Sequence, residues 1–261
     1  MKYFLFFFLI VTIGHSQTGK ITYSAVFNFG GSSIHQTKND LYFTNVASFY
    51  QSQIRMDEKS EREEEKKKTS ENTRAVDINI TVGTDSIGDV YYHNLKSRNI
   101  ICRGAIYENR DLNYYIYEDN TNIKWKLLDE FKNISGYKCQ KAATKFRGRN
   151  YEAWFTSEIP LSFGPWKFNG LPGLILEVYD QTGEVYFTAE YIQIPYAEAA
   201  KKVQKPSDDP IIDHQEFISK AKNIGVGISQ AMIARMPEGS KLESIERKYN
   251  GLELEYEWDK E

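Results

Sequence analysis

The chain has 261 residues, 41% of them hydrophobic, and a net charge of −3, so it can bury a sizeable core beneath a slightly acidic surface. That balance excludes a phosphate-tracking surface, and nucleic acid is not an expected partner. Aromatic residues make up 14%, with 18 Tyr and 15 Phe, which leans the fold towards strands.

Lys2, an apolar block at 4–14 and the small residue Ser16 read together as a secretory signal peptide, cleaved after Ser16 or Gln17. The block falls short of the ~20 apolar residues of a spanning helix. No cysteine stands near the junction to carry a lipid anchor. The expectation is a signal peptide at 1–17 and one β-rich domain at 18–261, soluble in the periplasm or outside the cell, without a transmembrane anchor.

Residues 20–30 read as an opening strand with Ile21, Tyr23, Ala25 and Phe27 on one face. Residues 41–51 read as a second, aromatic strand. The stretch 52–88 is polar, and its charged block at 57–68 reads as a solvated loop or frayed helix. Strands are expected at 90–94, 99–107, 113–118 and, after a turn at 119–122, at 124–127. Hairpins follow: 137–146 returns as 150–156 around Arg147-Gly148-Arg149, and 174–179 returns as 184–194 through 180–183. Beyond a polar linker at 201–210, residues 213–223 predict a helix capped by Asp213, with Phe217, Ile218 and Ala221 inward. A second helix is expected at 228–236. Residues 251–257 alternate and predict a last strand. Hairpins imply antiparallel pairing, and glycines at strand ends imply curvature. The fold class is mostly β: an antiparallel curved sheet or partly closed barrel with one or two C-terminal helices.

The most distinctive run, 164–178, holds three glycines, two prolines and large apolar side chains around Gly170-Leu171-Pro172-Gly173-Leu174-Ile175. Leu171-Pro172-Gly173-Leu174 fits a type II turn with Gly173 at positive φ, and Gly170 and Gly173 also suit close backbone approach. Around this run, Arg147, Arg149, Trp154, Trp166 and Lys167 mix cations with aromatics, as peptide, sugar or anion binding requires. The same residues also read as core tryptophans with cations rimming the turns. Glu177 interrupts an apolar strand; it either acts or simply faces solvent or pairs with Arg147 or Arg149.

Catalytic signals are weak. Cys139 with His93 or His214 would make a nucleophile–base pair, but no nucleophile elbow surrounds it, and Ser162 lacks the flanking glycine of one. Carboxylate pairs arise by chance among 36 Asp and Glu. His35, His93 and His214 are far apart and carry no metal-binding spacing, so neither metal nor cofactor is expected. Cys102 and Cys139 form either a single disulfide or two buried thiols.

Several ordered pieces, Ile134 to Ala142, Phe146-Arg147-Gly148-Arg149, Tyr151 to Pro160, Gly164 to Phe168 and the hexapeptide at 170–175, resemble the GLPGLI family of secreted Bacteroidota envelope proteins. The likeness is strongest over 125–191 and absent from 52–88. It supports a cysteine near 139 more clearly than one near 102. It implies an exported envelope protein, and association of some members with TonB-dependent receptors suggests an outer-membrane partner. The expected function is a non-enzymatic binding or accessory protein for a peptide, a lipid or an outer-membrane receptor; the alternative is a secreted hydrolase using a carboxylate pair or Cys139.

Overall fold

Eleven strands form one antiparallel sheet in the computed structural model, which describes residues 17–29, 34–53, 85–97, 99–108, 111–222 and 251–260. The expected signal peptide, the charged block at 57–68 and the second helix at 228–236 lie outside the described residues. The strands are β1 Gly19–Phe27, β2 His35–Phe43, β3 Ala47–Ser52, β4 Val90–Asn94, β5 Asn99–Glu108, β6 Asp111–Asn120, β7 Lys126–Ile134, β8 Tyr137–Phe146, β9 Arg149–Thr156, β10 Leu174–Asp180 and β11 Val185–Gln193. Their order is β6-β5-β4-β3-β2-β1-β11-β10-β9-β8-β7. Two meanders thus join where β1 pairs with β11.

This order forces the sheet to roll. The two free edges, β6 and β7, are separated in sequence by residues 121–125 alone. Eleven strands laid flat would measure roughly 48 Å across at ~4.8 Å per step, whereas the chain from Asn120 to Lys126 reaches roughly 20 Å fully extended. The edges therefore approach at one end without closing a ladder. Register shifts at Thr22/Tyr23, Ile175/Glu177 and Leu127/Phe131 mark bulges, which add twist and bend.

Most strands fall where alternation and turn residues place them. The stretch 41–51 does not: it is the end of β2 and the start of β3, folded back at Thr44. The Thr44 hydroxyl accepts from the amides of Val46 (3.3 Å) and Ala47 (3.2 Å), so a side chain makes the turn that an apolar run concealed.

The core lies inside the roll, and the segment 157–173 between β9 and β10 fills it. Rings run in contact from Tyr23 to Tyr50 (6.2 Å between centroids), Tyr91 (6.1 Å) and Trp166 (6.4 Å), then to Phe168 (5.2 Å) and Tyr151 (4.8 Å). One meander supplies Tyr23, Tyr50 and Tyr91, the other supplies Tyr151, and the segment bridges them. The expected turn at 171–174 takes a different form. Gly170 carries the positive φ, +93°, while Gly173 is absent from the left-handed residues. A Cβ on Gly173 would stand 2.1 Å from the Thr156 carbonyl oxygen, so close approach is what requires glycine there.

After β11 come a short helix, α1 (Ala199–Lys202), and a second, α2, at 214–222. Asp213 caps α2, its carboxylate accepting from the Gln215 amide at 2.7 Å. Phe217 and Ile218 pack with Ile100, Cys102, Ile106, Tyr117 and Tyr256 in a second cluster beneath β5 and β6. The outer edge of β6 is covered: the Ile116 amide donates to Pro210 O and the Ile212 amide to Ile116 O. The expected last strand at 251–257 is instead an irregular segment ending in a 3-10 turn, Glu257–Lys260. Alternation predicts Leu252, Leu254 and Tyr256 inward, yet Glu253 is buried with Tyr256, because two cations wait for its carboxylate.

Candidate functional site

The tight turn between β8 and β9 sets Arg147 at φ +45°, and so presents Arg147 and Arg149 at one end of the roll. The Arg147 guanidinium grips Asp119 at the end of β6 with two bonds, 2.6 and 3.0 Å, a bidentate arrangement. It also pairs with Glu253 and donates to Glu257 at 3.2 Å. Lys167, from the segment that fills the roll, reaches the same two acids: Nζ lies 2.7 Å from Asp119 Oδ2 and 2.9 Å from Glu253 Oε2. Two buried cations thus face two buried carboxylates, and the charges cancel. Burial alone would raise the Asp119 carboxyl, but Lys167 and Arg147 outweigh it and hold it at about 2. Burial opposes the charge on Lys167, yet Glu253 and Asp119 raise its pKa above the ordinary lysine value.

His214 of α2 completes the cluster. Its Nδ1 stands 3.6 Å from Asp119 Oδ1, and its ring stacks on Tyr117 at 4.9 Å and meets Trp258 edge-on at 5.1 Å. Its pKa is lowered, chiefly by burial, with the Lys167 and Arg147 charges adding to the effect against the pull of Asp119. Nε2 is buried and has no hydrogen-bond partner among the described residues.

Around this cluster the body of the protein holds its own segment 251–258. Arg149 donates to Gly251 O from Nε (2.9 Å) and Nη2 (2.7 Å), and its Nη1 pairs with Asp180 and Glu184, both at 2.7 Å. The Tyr151 hydroxyl donates to Leu252 O at 3.1 Å, and the Leu254 amide donates to Arg147 O at 2.9 Å. The Arg147 guanidinium lies 5.1 Å from the Tyr256 ring centroid. Backbone groups, one deep carboxylate and one aromatic ring are all recognised. This is how proteins hold extended peptides.

The six residues picked from sequence therefore do not share one face. Arg147, Arg149 and Lys167 converge on the C-terminal segment. Trp166 is core, within the aromatic chain. Trp154 and Glu177 stand side by side elsewhere, in register between β9 and β10. Glu177 pairs with Lys132 at 2.6 Å, and the same ammonium sits 4.4 Å from the Trp154 ring centroid. The expected pairing of Glu177 with Arg147 or Arg149 fails on distance, since Trp154 lies five residues along β9 from Arg149, ~16 Å at strand rise. Asp119, Glu253 and Lys132 escaped sequence reading, and His214 was considered only as a base for Cys139 or a metal ligand. Asp119 looked like a turn residue, and Glu253 looked like the polar face of a strand.

Cys102 and Cys139 are both free thiols, so the disulfide considered for them is not formed. They sit in different clusters, Cys102 beneath α2 and Cys139 in the main core, on strands of opposite meanders, whereas a bridge needs Cα atoms within ~7 Å. Burial pushes the Cys139 thiol up to about 11, the opposite of an activated nucleophile. His93 packs edge-on against Phe163 and His214 stacks on Tyr117, so each imidazole is engaged by other groups. Glu152 accepts from the Tyr179 hydroxyl at 2.7 Å and pairs with Lys141, and these contacts outweigh burial and lower its pKa, contrary to what a general acid needs. Among the described residues, no group of three or more His, Cys, Asp or Glu is placed to hold a metal, and no helix is long and apolar enough to cross a membrane.

A family model described as a protein of unknown function (Porph_ging) matches residues 146–177, the stretch that carries Arg147, Arg149, Lys167 and the filling segment. No curated protein matches the chain. Among the solved structures that resemble it are those of PNGF-II in the P21 and C2 space groups, each at 18% identity and a TM-score of 0.53 over 79% of this chain. At that identity the likeness is one of fold, and the chain spans about a third of the length of the PNGF-II chains, 33%.

Proposed function

We propose that this chain is an exported cell-envelope protein of the GLPGLI type that works by binding rather than catalysis, as an accessory to an outer-membrane partner such as a TonB-dependent transport system. One observation carries the reading. The cations singled out in sequence converge on a cradle that already holds a polypeptide segment by backbone hydrogen bonds, a buried carboxylate and an aromatic ring. A polypeptide partner is accordingly favoured over a lipid. The family likeness supports the envelope placement, since the hexapeptide at 170–175 falls within the matched stretch 146–177. The hydrolase alternative has weaker support, because Cys139 is held protonated and Glu177 and Glu152 are each tied to a lysine.

The test is an affinity pull-down of the tagged mature chain from its own envelope extract, read by mass spectrometry. A single outer-membrane receptor in stoichiometric amount is the expected outcome. Recovery of no protein, together with turnover of any envelope glycan or peptide by the purified chain, would replace this reading with the hydrolase.

A further inference from the structure

We propose that the cradle of Arg147, Arg149, Tyr151 and Lys167 is a recognition site for acidic, aromatic peptide segments, occupied here by the chain's own residues 251–258 and able to take a segment of the same chemistry from a partner protein. The inference rests on the binding reading above and specifies its ligand.

Charge defines that ligand. With the segment in place, Arg147 and Lys167 are neutralised by Asp119 and Glu253. Without it, two buried cations face Asp119 alone, and an uncompensated buried charge is strongly unfavourable. The vacated site therefore demands a carboxylate at the position of Glu253. Geometry adds an aromatic ring three residues later: Tyr256 is buried in the cluster of Ile100, Cys102, Tyr117 and Phe217, stacked on Trp258 at 4.8 Å and edge-on to His214 at 5.9 Å. The backbone contacts, Arg149 to Gly251 O, Tyr151 to Leu252 O and the Leu254 amide to Arg147 O, carry no side-chain information and accept any extended segment in that register. The recognised pattern is thus an acidic residue followed three positions on by Tyr or another ring. The segment is also built to be separable. It joins no strand ladder, and it is held at the end of the roll by hydrogen bonds and ion pairs together with the buried Tyr256 ring and the half-buried Leu252.

The experiment uses the full mature chain and a fluorescent peptide with the sequence of residues 251–260. Glu253→Gln with Tyr256→Ala weakens the internal segment and leaves the cradle intact. Peptide anisotropy is expected to rise with this variant, with binding at least tenfold weaker to the wild-type chain. A peptide carrying Gln at its first glutamate is expected to bind the variant at least tenfold more weakly. A folded variant that leaves the peptide free overturns the proposal. Hydrogen exchange on the wild-type chain provides an independent measurement should the variant not fold. The Leu254 and Glu255 amides are expected to exchange by local opening, far faster than those of β8 and β9. Exchange of those two amides only with global unfolding overturns the proposal as well. Failure here, alongside a receptor recovered in the pull-down, would leave the binding reading standing and place its surface elsewhere.

Discussion

The ammonium of Lys167 lies 2.7 Å from the carboxylate of Asp119, and this pair ties the segment inside the roll to a free edge of the sheet. Asp119 belongs to β6, which has no neighbour in the ladder beyond β5. Nearby contacts act in the same sense: the Asn169 side-chain amide donates to the Thr121 hydroxyl at 2.9 Å, and the Trp125 indole donates to Asn169 O at 2.7 Å. Thr121 and Trp125 are the ends of the link between the two edges. The glycine- and proline-rich segment therefore fills the interior and also fastens the place where the barrel fails to close.

That relationship predicts strong coupling. Asp119→Asn or Lys167→Met alone leaves the buried cluster with one unbalanced charge and should cost about 3–5 kcal/mol. The double change removes both charges and should cost clearly less than the sum of the two. Urea denaturation of the four proteins measures the coupling. Additivity within ~0.5 kcal/mol would mean that the pair contributes no specific interaction.

The two glycines of the hexapeptide should respond differently to alanine. At Gly170 the added methyl has room, its nearest neighbour being Trp125 at 3.7 Å, and the cost is the left-handed backbone, about 1–2 kcal/mol. At Gly173 the methyl meets backbone rather than a flexible side chain, so strands β9 and β10 must separate. Gly173→Ala should lower the melting temperature further than Gly170→Ala. The reverse ranking would restore the type II turn that sequence suggests.

The thiols should be inert in the folded protein. Cys102 and Cys139 are both fully buried, and burial raises both pKa values. An alkylating reagent at pH 8 should modify neither cysteine before unfolding and both after it, and reduction should leave the intact mass unchanged. Labelling of Cys139 in the native state would reopen nucleophilic catalysis.

What sequence conveyed and what it hid follow from the range of the forces involved. Strand alternation and turn chemistry are local, so β8, β9, β10 and β11 were legible to within a residue or two. The rolled sheet was legible as curvature, though the edge-to-edge order depends on β1 meeting β11, more than 150 residues apart. The cations of the charge cluster were legible as candidates, but their acidic partners were not. Asp119, Arg147, Lys167 and Glu253 come from four separate stretches, and the two acids look locally like an ordinary turn residue and an ordinary surface residue. Trp166 and Arg149 allowed two readings in sequence, a binding face or a core tryptophan with a cation at a turn; Trp166 is core, and Arg149 holds another part of the chain. The Leu-Glu-Leu-Glu alternation misled because Glu253 turns inward to two cations while Leu252 and Leu254 are half-buried.

The buried histidines should give the protein an acid-sensitive stability in two steps. His214 is faced by Asp119, Lys167, Arg147 and Glu253 and by the rings of Tyr117, Tyr256 and Trp258. Burial lowers its pKa below the ordinary 6.5, and burial does the same for His93. In the unfolded chain both take up a proton near pH ~6.5, whereas in the folded protein they do so only at lower pH. Between those values the unfolded state binds more protons, so stability rises with pH there. Their contribution is complete above the unfolded value and is lost as pH falls through the folded ones. Asp119 behaves similarly at lower pH: held at about 2 against an ordinary 3.8, it contributes above the ordinary value and the contribution disappears as pH falls towards 2. Chemical denaturation from pH 8 to pH 3 should therefore show a first loss below pH ~6.5 and a second below pH ~4. His214→Phe keeps the stack on Tyr117 and removes the titration, so the first loss should shrink to the part due to His93. An unchanged slope in that variant would show that His214 takes up its proton in the folded state as readily as in the unfolded one.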